Sequence, residues 1–246
     1  MILGGVLATP ERARSLLVAI LAVVFVGLLV LAGCGTQSGD SGTGKSAEEG
    51  DTQAQSSDTE TTAADGGEAL YTPSYRPNGK ETAVIKTSKG DITVKLYGED
   101  APIHVGNFIE LALKGFYDET KFHRYVPDFV IQGGDPDTRD ASTDEVSAEA
   151  DKGGAGRFGT GGPGYYIKGE FDLNDNPNTH VEGALGMARS QSPDSAGSQF
   201  YFALEPLPRL DGGYTVFGVT TDGLDVVKAL RAGDVIESVE ILGATD

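Results

Sequence analysis

The stretch from Phe122 to Asp135 constrains the fold of this chain more than any other, reading F-H-R-Y-V-P-D-F-V-I-Q-G-G-D. Two short apolar segments flank Pro127-Asp128, a dipeptide that favours a turn. Arg124 and Gln132 are equally distant from Asp128, so a hairpin folded there pairs them across two antiparallel strands, on one face. The sequence therefore predicts a guanidinium held by an amide. The alternative is an arginine that simply points into solvent.

Composition excludes several classes of protein. The 246 residues suffice for one large or two small domains, and the net charge of −18 argues against nucleic acid as a partner. Cys34 is the only cysteine, so neither an intrachain disulfide nor a cysteine metal cluster is available. The three histidines, His104, His123 and His180, lack metal-ligand spacing. We expect no metal and no cofactor.

The N-terminus carries an export signal. Arg12 and Arg14 precede an apolar run, Leu16 to Ala32, that no charge interrupts, which is typical of a signal peptide. An uncleaved membrane anchor is the alternative, because the run is nearly long enough to span a bilayer. Leu31-Ala32-Gly33-Cys34 resembles the bacterial lipobox, in which the cysteine is diacylated and becomes the first mature residue; a stray cysteine is the other interpretation. Either way, the rest of the chain lies outside the cytoplasm.

Three segments follow from this pattern: a lipoprotein signal peptide over 1–33, a lipidated Cys34 with a tether to residue 80, and a folded domain over 81–246. The tether is acidic and rich in Gly, Ser and Thr, and it cannot bury enough apolar surface to offset its chain entropy. It is therefore predicted to be disordered. Tyr71 to Pro77, which carries tyrosines and prolines, either docks on the domain or continues the linker.

The domain is predicted to be mainly β. Ala83–Thr87 and Ile92–Leu96 are β-rich runs joined by a hairpin turn, and further short strands follow after residue 120. Asp100 is predicted to cap a helix that begins at Pro102, and Asp222 to cap a second one. Many short antiparallel strands with two helices suggest a closed barrel with helices over its ends.

Residues 136–163 form a long acidic, glycine-rich segment. Its carboxylates could bind calcium, but their spacing matches no EF-hand loop. We interpret the segment as a solvated surface loop.

The Phe122–Asp135 stretch resembles the signature of the cyclophilins, the cyclosporin-binding class of peptidyl-prolyl cis-trans isomerases. Two blocks downstream agree with it, and the resemblance covers roughly Thr82 to Gly243. It implies a closed eight-stranded antiparallel barrel capped by two α-helices. Residues 137–158 then stand out as an insertion, because most cyclophilins are shorter there.

The implied reaction is rotation about X-Pro peptide bonds. Amide resonance sets a barrier of ~18–20 kcal/mol, and lowering it needs no nucleophile, base or metal. The site must hold the proline ring in an apolar pocket, grip the flanking backbone and favour the twisted amide. By the resemblance, Arg124 is the catalytic arginine, Gln132 orients it, and Phe129 completes the catalytic set. His123, which looks like a general base, is structural in this family.

The resemblance also implies a substrate-binding surface. Its proline pocket is formed by Phe129 with Val130, Tyr201 and Leu210, although these residues alone would equally fit a core. Its backbone-binding strip and neighbouring subsite comprise Ala188, Arg189, Gln199, Tyr214, Thr160 and Gly161.

Two arginines depart from the family pattern. Arg189 replaces an asparagine whose contact uses main-chain atoms. Arg209 stands where many members have the tryptophan that grips cyclosporin, so isomerase activity is expected but tight cyclosporin binding is not.

The sequence thus predicts a lipid-anchored, extracytoplasmic, monomeric prolyl isomerase whose partners are proline-containing peptides and unfolded exported proteins. Two alternatives remain: a non-catalytic proline-peptide-binding chaperone or adaptor, and a passive surface protein. The Arg124–Gln132 pair favours the enzyme, because a pure binder needs no donor aimed at the amide nitrogen.

Overall fold

The computed structural model describes residues 69–152 and 156–244. The predicted signal peptide, Cys34 and most of the predicted tether lie outside these residues. Within the described ranges, no helix combines the length and the apolar character needed to cross a bilayer.

The strands form one antiparallel sheet in the order β3-β9-β1-β2-β8-β6-β7-β5-β4. Their bounds are β1 Thr82–Thr87, β2 Gly90–Leu96, β3 Thr120–Lys121, β4 Arg124–Val126, β5 Val130–Gly133, β6 Ala184–Met187, β7 Phe200–Ala203, β8 Val216–Asp222 and β9 Val235–Leu242. This confirms the mainly β, antiparallel prediction.

The predicted strand number is wrong: nine strands are present in the described residues instead of eight. The two edge strands, β3 and β4, are separated by only two residues, so the sheet curls until its edges approach each other. At this junction Phe122 N donates to Asp234 O (2.9 Å) and His123 N donates to Gln132 O (2.9 Å). Residues 120–126 therefore pair first with β9 and then with β5, so they form two short strands instead of one.

Aromatic rings fill the interior of the curled sheet. The alternating residues of β1 and β2 are fully buried there, and β1 and β2 are joined by a two-residue turn that pairs Thr87 with Gly90. The largest buried rings, which meet largely edge to face, belong to Phe108, Tyr117, Phe122, Phe200, Phe202 and Phe217.

Helix α1, Pro102–Leu113, covers this core with the apolar stripe expected from the sequence. The predicted Asp100 cap is wrong. The N-cap residue is Ala101, which offers no side-chain cap, and Asp100 accepts instead from Asn178 Nδ2. Glu170, which is 67 residues from Ile103, caps the helix instead: its carboxylate accepts from Ile103 N (2.9 Å) and His104 N (2.8 Å).

The acidic insertion is not a plain loop. It contains a 3₁₀ helix, Pro136–Thr138, and helix α2, Thr143–Ala150. A capping box between Ser142 and Glu145 starts α2, and Val146 packs into a small cluster with Ala141 and Phe158. The S-T-D-E sequence at 142–145 carried this signal, so the prediction of a solvated loop is wrong for this part.

Helix α3, Leu224–Ala229, follows Gly223 rather than a side-chain cap, so the predicted Asp222 cap is also wrong. Gly223 has φ 79°, and a Cβ there would lie 2.3 Å from Asp91 O. Close approach and positive φ both require glycine at this position.

The Tyr71–Pro77 segment docks on the domain. Glu110 of α1 accepts from Tyr71 Oη (2.5 Å), from Ser74 N and Oγ (2.6 Å each) and from Tyr75 N (2.8 Å). Burial alone would raise the pKa of Glu110, but the hydrogen bonds from Ser74, Tyr71 and Tyr75 lower it to about 2. The ionised carboxylate therefore holds the segment in place.

We expect Glu110→Gln to destabilise the protein by about 2 kcal/mol at pH 7, because charge-assisted hydrogen bonds are lost. A carboxylate with a lowered pKa contributes stability that is present above its unfolded pKa and lost as pH falls to the folded value. The difference between wild type and variant should therefore shrink between pH 4.5 and about pH 2. Urea unfolding at several pH values measures this. Glu237→Gln, at an exposed position of β9, is the matched control and should change stability by less than about 0.5 kcal/mol at pH 7.

Candidate active site

The hairpin at the centre of the site forms as the sequence predicts. β4 and β5 pair in the register Arg124–Gln132, Tyr125–Ile131 and Val126–Val130, with the turn at Pro127, Asp128 and Phe129. Asp128 has φ 57°, a conformation that aspartate tolerates better than most residues. Arg124 and Gln132 therefore share one face, with the Phe129 ring beside them.

The side-chain amides of two glutamines connect Arg124 to the 159–161 loop. Arg124 Nη1 lies 3.4 Å from Gln132 Oε1, a long contact that leaves the guanidinium free to donate elsewhere. Gln132 Nε2 donates to Gln199 Oε1 (2.9 Å), and Gln199 Nε2 donates to Gly161 O (2.8 Å). These contacts tie β4, β5, the start of β7 and the 159–161 loop together.

Asp135 fixes the same loop from below. Its buried carboxylate accepts from Gly159 N and from Gly161 N (3.2 Å) through Oδ2, and from Asp137 N (2.9 Å) through Oδ1. A Cβ on Gly161 would lie 2.1 Å from Asp135 Oδ1, so the loop needs glycine to approach this closely. The sequence pattern did not predict this role of Asp135; the position of the residue directly after the hairpin was the available signal.

The predicted proline-pocket residues come together in one apolar patch beside Arg124. Val130 and Tyr201 form its buried floor, at 2% and 4% exposure. The half-buried residues Phe129, Leu210, Ala188 and Tyr214 pack around that floor. Such a shallow apolar surface beside a cationic donor matches what a bound proline ring requires.

A buried polar chain supports the floor of the patch. Tyr201 Oη lies 2.8 Å from His180 Nε2, and His180 Nδ1 lies 2.7 Å from Asp211 Oδ1. Burial lowers the pKa of His180, against the opposing effect of Asp211, so the ring is neutral at neutral pH. Its Nδ1–H then donates to Asp211, and Nε2 accepts from the tyrosine. Nothing in the sequence pattern predicted these two hydrogen bonds.

A cavity of about 540 Å³ adjoins the patch at Ala188. It brings together six of the predicted site residues: Gln132, Thr160, Gly161, Ala188, Arg189 and Gln199. Arg189 folds back at its edge, donating from Nε (2.9 Å) and Nη2 (2.7 Å) to Gly213 O, with its guanidinium carbon 4.5 Å from the centre of the Tyr214 ring. Gly213 and Tyr214 thus hold the Arg189 guanidinium at the edge of the cavity.

A second cavity, of about 450 Å³, lies on the insertion side of Arg124 and is lined in part by His123, Glu149 and Phe158. His123 is 7% exposed, and burial lowers its pKa despite the nearby Asp135 carboxylate. A neutral, buried imidazole behind Arg124 suits a structural position. The described part of the chain shows no group of three or more His, Cys, Asp or Glu arranged to hold a metal ion.

Comparison with known proteins agrees with this geometry. Residues 82–245 match the model of the cyclophilin type peptidyl-prolyl cis-trans isomerase family. Relatives named peptidyl-prolyl cis-trans isomerase include one from Helicobacter pylori, 43% identical over 64% of this chain and 84% of its own length. The isomerase B of Bacillus subtilis is 44% identical over 62% of this chain and 91% of its own.

Among solved structures, a Cryptosporidium parvum cyclophilin crystallised in the presence of the dipeptide Ala-Pro is similar. It has a TM-score of 0.52 and 27% identity, covering 66% of this chain and 99% of that one. Together with the family match, this shows that the chain belongs to the cyclophilin-type peptidyl-prolyl cis-trans isomerases.

We expect Tyr201→Phe to cost about 1–3 kcal/mol of stability, because it leaves His180 Nε2 buried without its hydrogen-bond partner. Chemical denaturation measures the loss. Tyr214→Phe removes a hydroxyl from the half-buried neighbouring ring and should change stability by less than about 0.5 kcal/mol. Equal effects of the two substitutions would contradict a structural role for the Tyr201–His180 contact.

Proposed function

We propose that this protein accelerates cis-trans rotation about X-Pro bonds of exported proteins at a membrane surface. The observation that carries the reaction is Arg124, held in register with Gln132 beside the apolar patch. The proline ring would rest on Val130 and Tyr201, with Phe129 and Leu210 at its sides.

Arg124 supplies what the reaction needs. The barrier of ~18–20 kcal/mol comes from conjugation of the nitrogen lone pair with the carbonyl. A guanidinium that donates to the prolyl nitrogen stabilises the twisted amide, in which that lone pair is localised, more than the planar one. Gln132 limits the rotation of the guanidinium without neutralising it, since an amide oxygen carries no charge.

The neighbouring cavity would bind the rest of the peptide. The Gln199–Gly161 hydrogen bond and the buried Asp135 hold its walls, so the site is formed before substrate arrives. The protein is proposed to act as a monomer. Proline-containing peptides are the proposed partners, and nucleic acid is not, given the charge of −18.

We expect Arg124→Ala to lower kcat/KM for a short X-Pro peptide about 100-fold, the usual cost of removing a transition-state donor. NMR exchange spectroscopy of cis and trans peptide signals measures the rate. Arg231→Ala is the matched control, because Arg231 also stacks on a ring of β4, Tyr125, at 4.4 Å, but lies away from the patch. Peptide binding without acceleration by the wild type would leave a proline-binding adaptor as the function.

The cellular location is a separate part of the proposal. Its support is the sequence alone: the apolar run Leu16–Ala32 followed by Leu31-Ala32-Gly33-Cys34. A diacylated Cys34 would anchor the protein outside the cytoplasm, since each buried methylene contributes about 0.8 kcal/mol. The tether that the sequence predicts after Cys34 would then hold the domain roughly 30 Å off the membrane.

We expect a labelled fatty acid to be incorporated into the wild-type chain and not into Cys34→Ala when both are made in a bacterium that processes lipoproteins. The wild type should sediment with membranes. Membrane association of Cys34→Ala equal to that of the wild type would instead indicate an uncleaved helical anchor.

A further inference from the structure

Two guanidinium groups share the aromatic ring at the edge of the proline patch. The guanidinium carbon of Arg209 lies 4.5 Å from the centre of the Phe129 ring, and that of Arg124 lies 5.7 Å from it. Arg209 belongs to the 3₁₀ helix Pro208–Leu210, directly before the patch residue Leu210. The backbone of that helix, with Leu210 N donating to Leu207 O (2.9 Å), places Arg209 at the rim of the patch.

Neither cation has a carboxylate partner within the described ranges. The ion pairs found there involve neither Arg124 nor Arg209. The carboxylate of Asp211, which follows the 3₁₀ helix, is engaged by His180. Asp128 and Glu205, exposed nearby in sequence, pair with neither arginine.

This local excess of positive charge stands on a strongly acidic protein, whose net charge is −18. Exposed charges beyond roughly 8–10 Å are largely screened at physiological ionic strength. A ligand in the patch therefore responds to the adjacent arginines more than to the distant acidic groups. Two like charges around one ring are also relieved when an anion approaches.

We propose that the site prefers prolyl peptides with an acidic residue beside the proline, and that Arg209 is the residue that determines this preference. The inference rests on the proposed function, because Phe129 must border the bound proline ring. Consecutive residues are 3.80 Å apart at Cα, so an Asp or Glu one position from a proline that borders Phe129 lies within reach of the Arg209 guanidinium, which is 4.5 Å from the centre of the Phe129 ring. The chemistry recognised is a carboxylate.

The test uses the full-length protein and peptides capped at both ends, so that no terminal carboxylate is present. Glu, Gln or Lys stands at the position before the proline in one series and after it in the other. We expect kcat/KM for the Glu peptide to exceed that for the Gln peptide about two- to fivefold in at least one series, the range for partly exposed ion pairs. The ratio should fall toward one in high salt. An additional peptide with a free C-terminal carboxylate directly after the proline shows whether a chain end can act as the anion.

Two substitutions test whether Arg209 determines the preference for the Glu peptide. In Arg209→Gln the Glu-to-Gln ratio should approach one, and in Arg209→Glu the Lys peptide should be favoured over the Glu peptide. Arg231→Gln removes the same charge from a stacked arginine on Tyr125 and should keep the wild-type ratio. Because ratios are compared within each variant, a general loss of activity does not mimic the result, and the unfolding midpoint checks folding.

The outcomes separate the two proposals. Equal kcat/KM for the Glu and Gln peptides in both series would overturn the acidic preference while leaving the isomerase intact. A preference that persists unchanged in Arg209→Gln would overturn the role of Arg209. Failure of the wild type to accelerate any peptide would overturn the proposed function itself.

Discussion

The short distance along the chain between the two edges of the sheet determines the architecture. Strands β3 and β4 lie at opposite ends of a nine-stranded sheet, yet only Phe122 and His123 separate them. The sheet has to curl for both strands to pair with their neighbours, and the buried Phe122 fills the interior at the junction. Arg124 is the first residue beyond this point, so the geometry that closes the core also fixes the start of the site.

Carboxylates distant in sequence then tie the peripheral segments to this core. Glu170 caps α1, Glu110 holds the Tyr71–Pro77 segment, and Asp135 holds the 159–161 loop. Each accepts hydrogen bonds from backbone N–H groups that would otherwise be poorly satisfied. An acidic protein thus uses part of its negative charge for its architecture, while in the described part of the chain Arg124 and Arg209 at the edge of the patch form no ion pair.

Hydrogen bonds and strand pairing hold the apolar floor of the site and its arginine in place. The Tyr201 hydroxyl beneath the patch is satisfied by His180, so a tyrosine can form the floor of the patch without burying an unpaired polar group. Arg124 is positioned by strand register and by a long contact to Gln132, which leaves its donors available. This arrangement suits a reaction that needs one directed hydrogen bond and an apolar surface rather than covalent chemistry.

The sequence by itself determined the hairpin and its pairing, because the turn dipeptide and the alternation of side chains act over a few residues. It also determined α1 and its buried stripe. Only the tertiary structure decided the cap of α1, the docking on Glu110 and the Tyr201–His180–Asp211 chain, because their partners lie up to 67 residues apart. The strand count and the stacking of Arg209 on Phe129 were decided there too, since both depend on how distant segments meet in space.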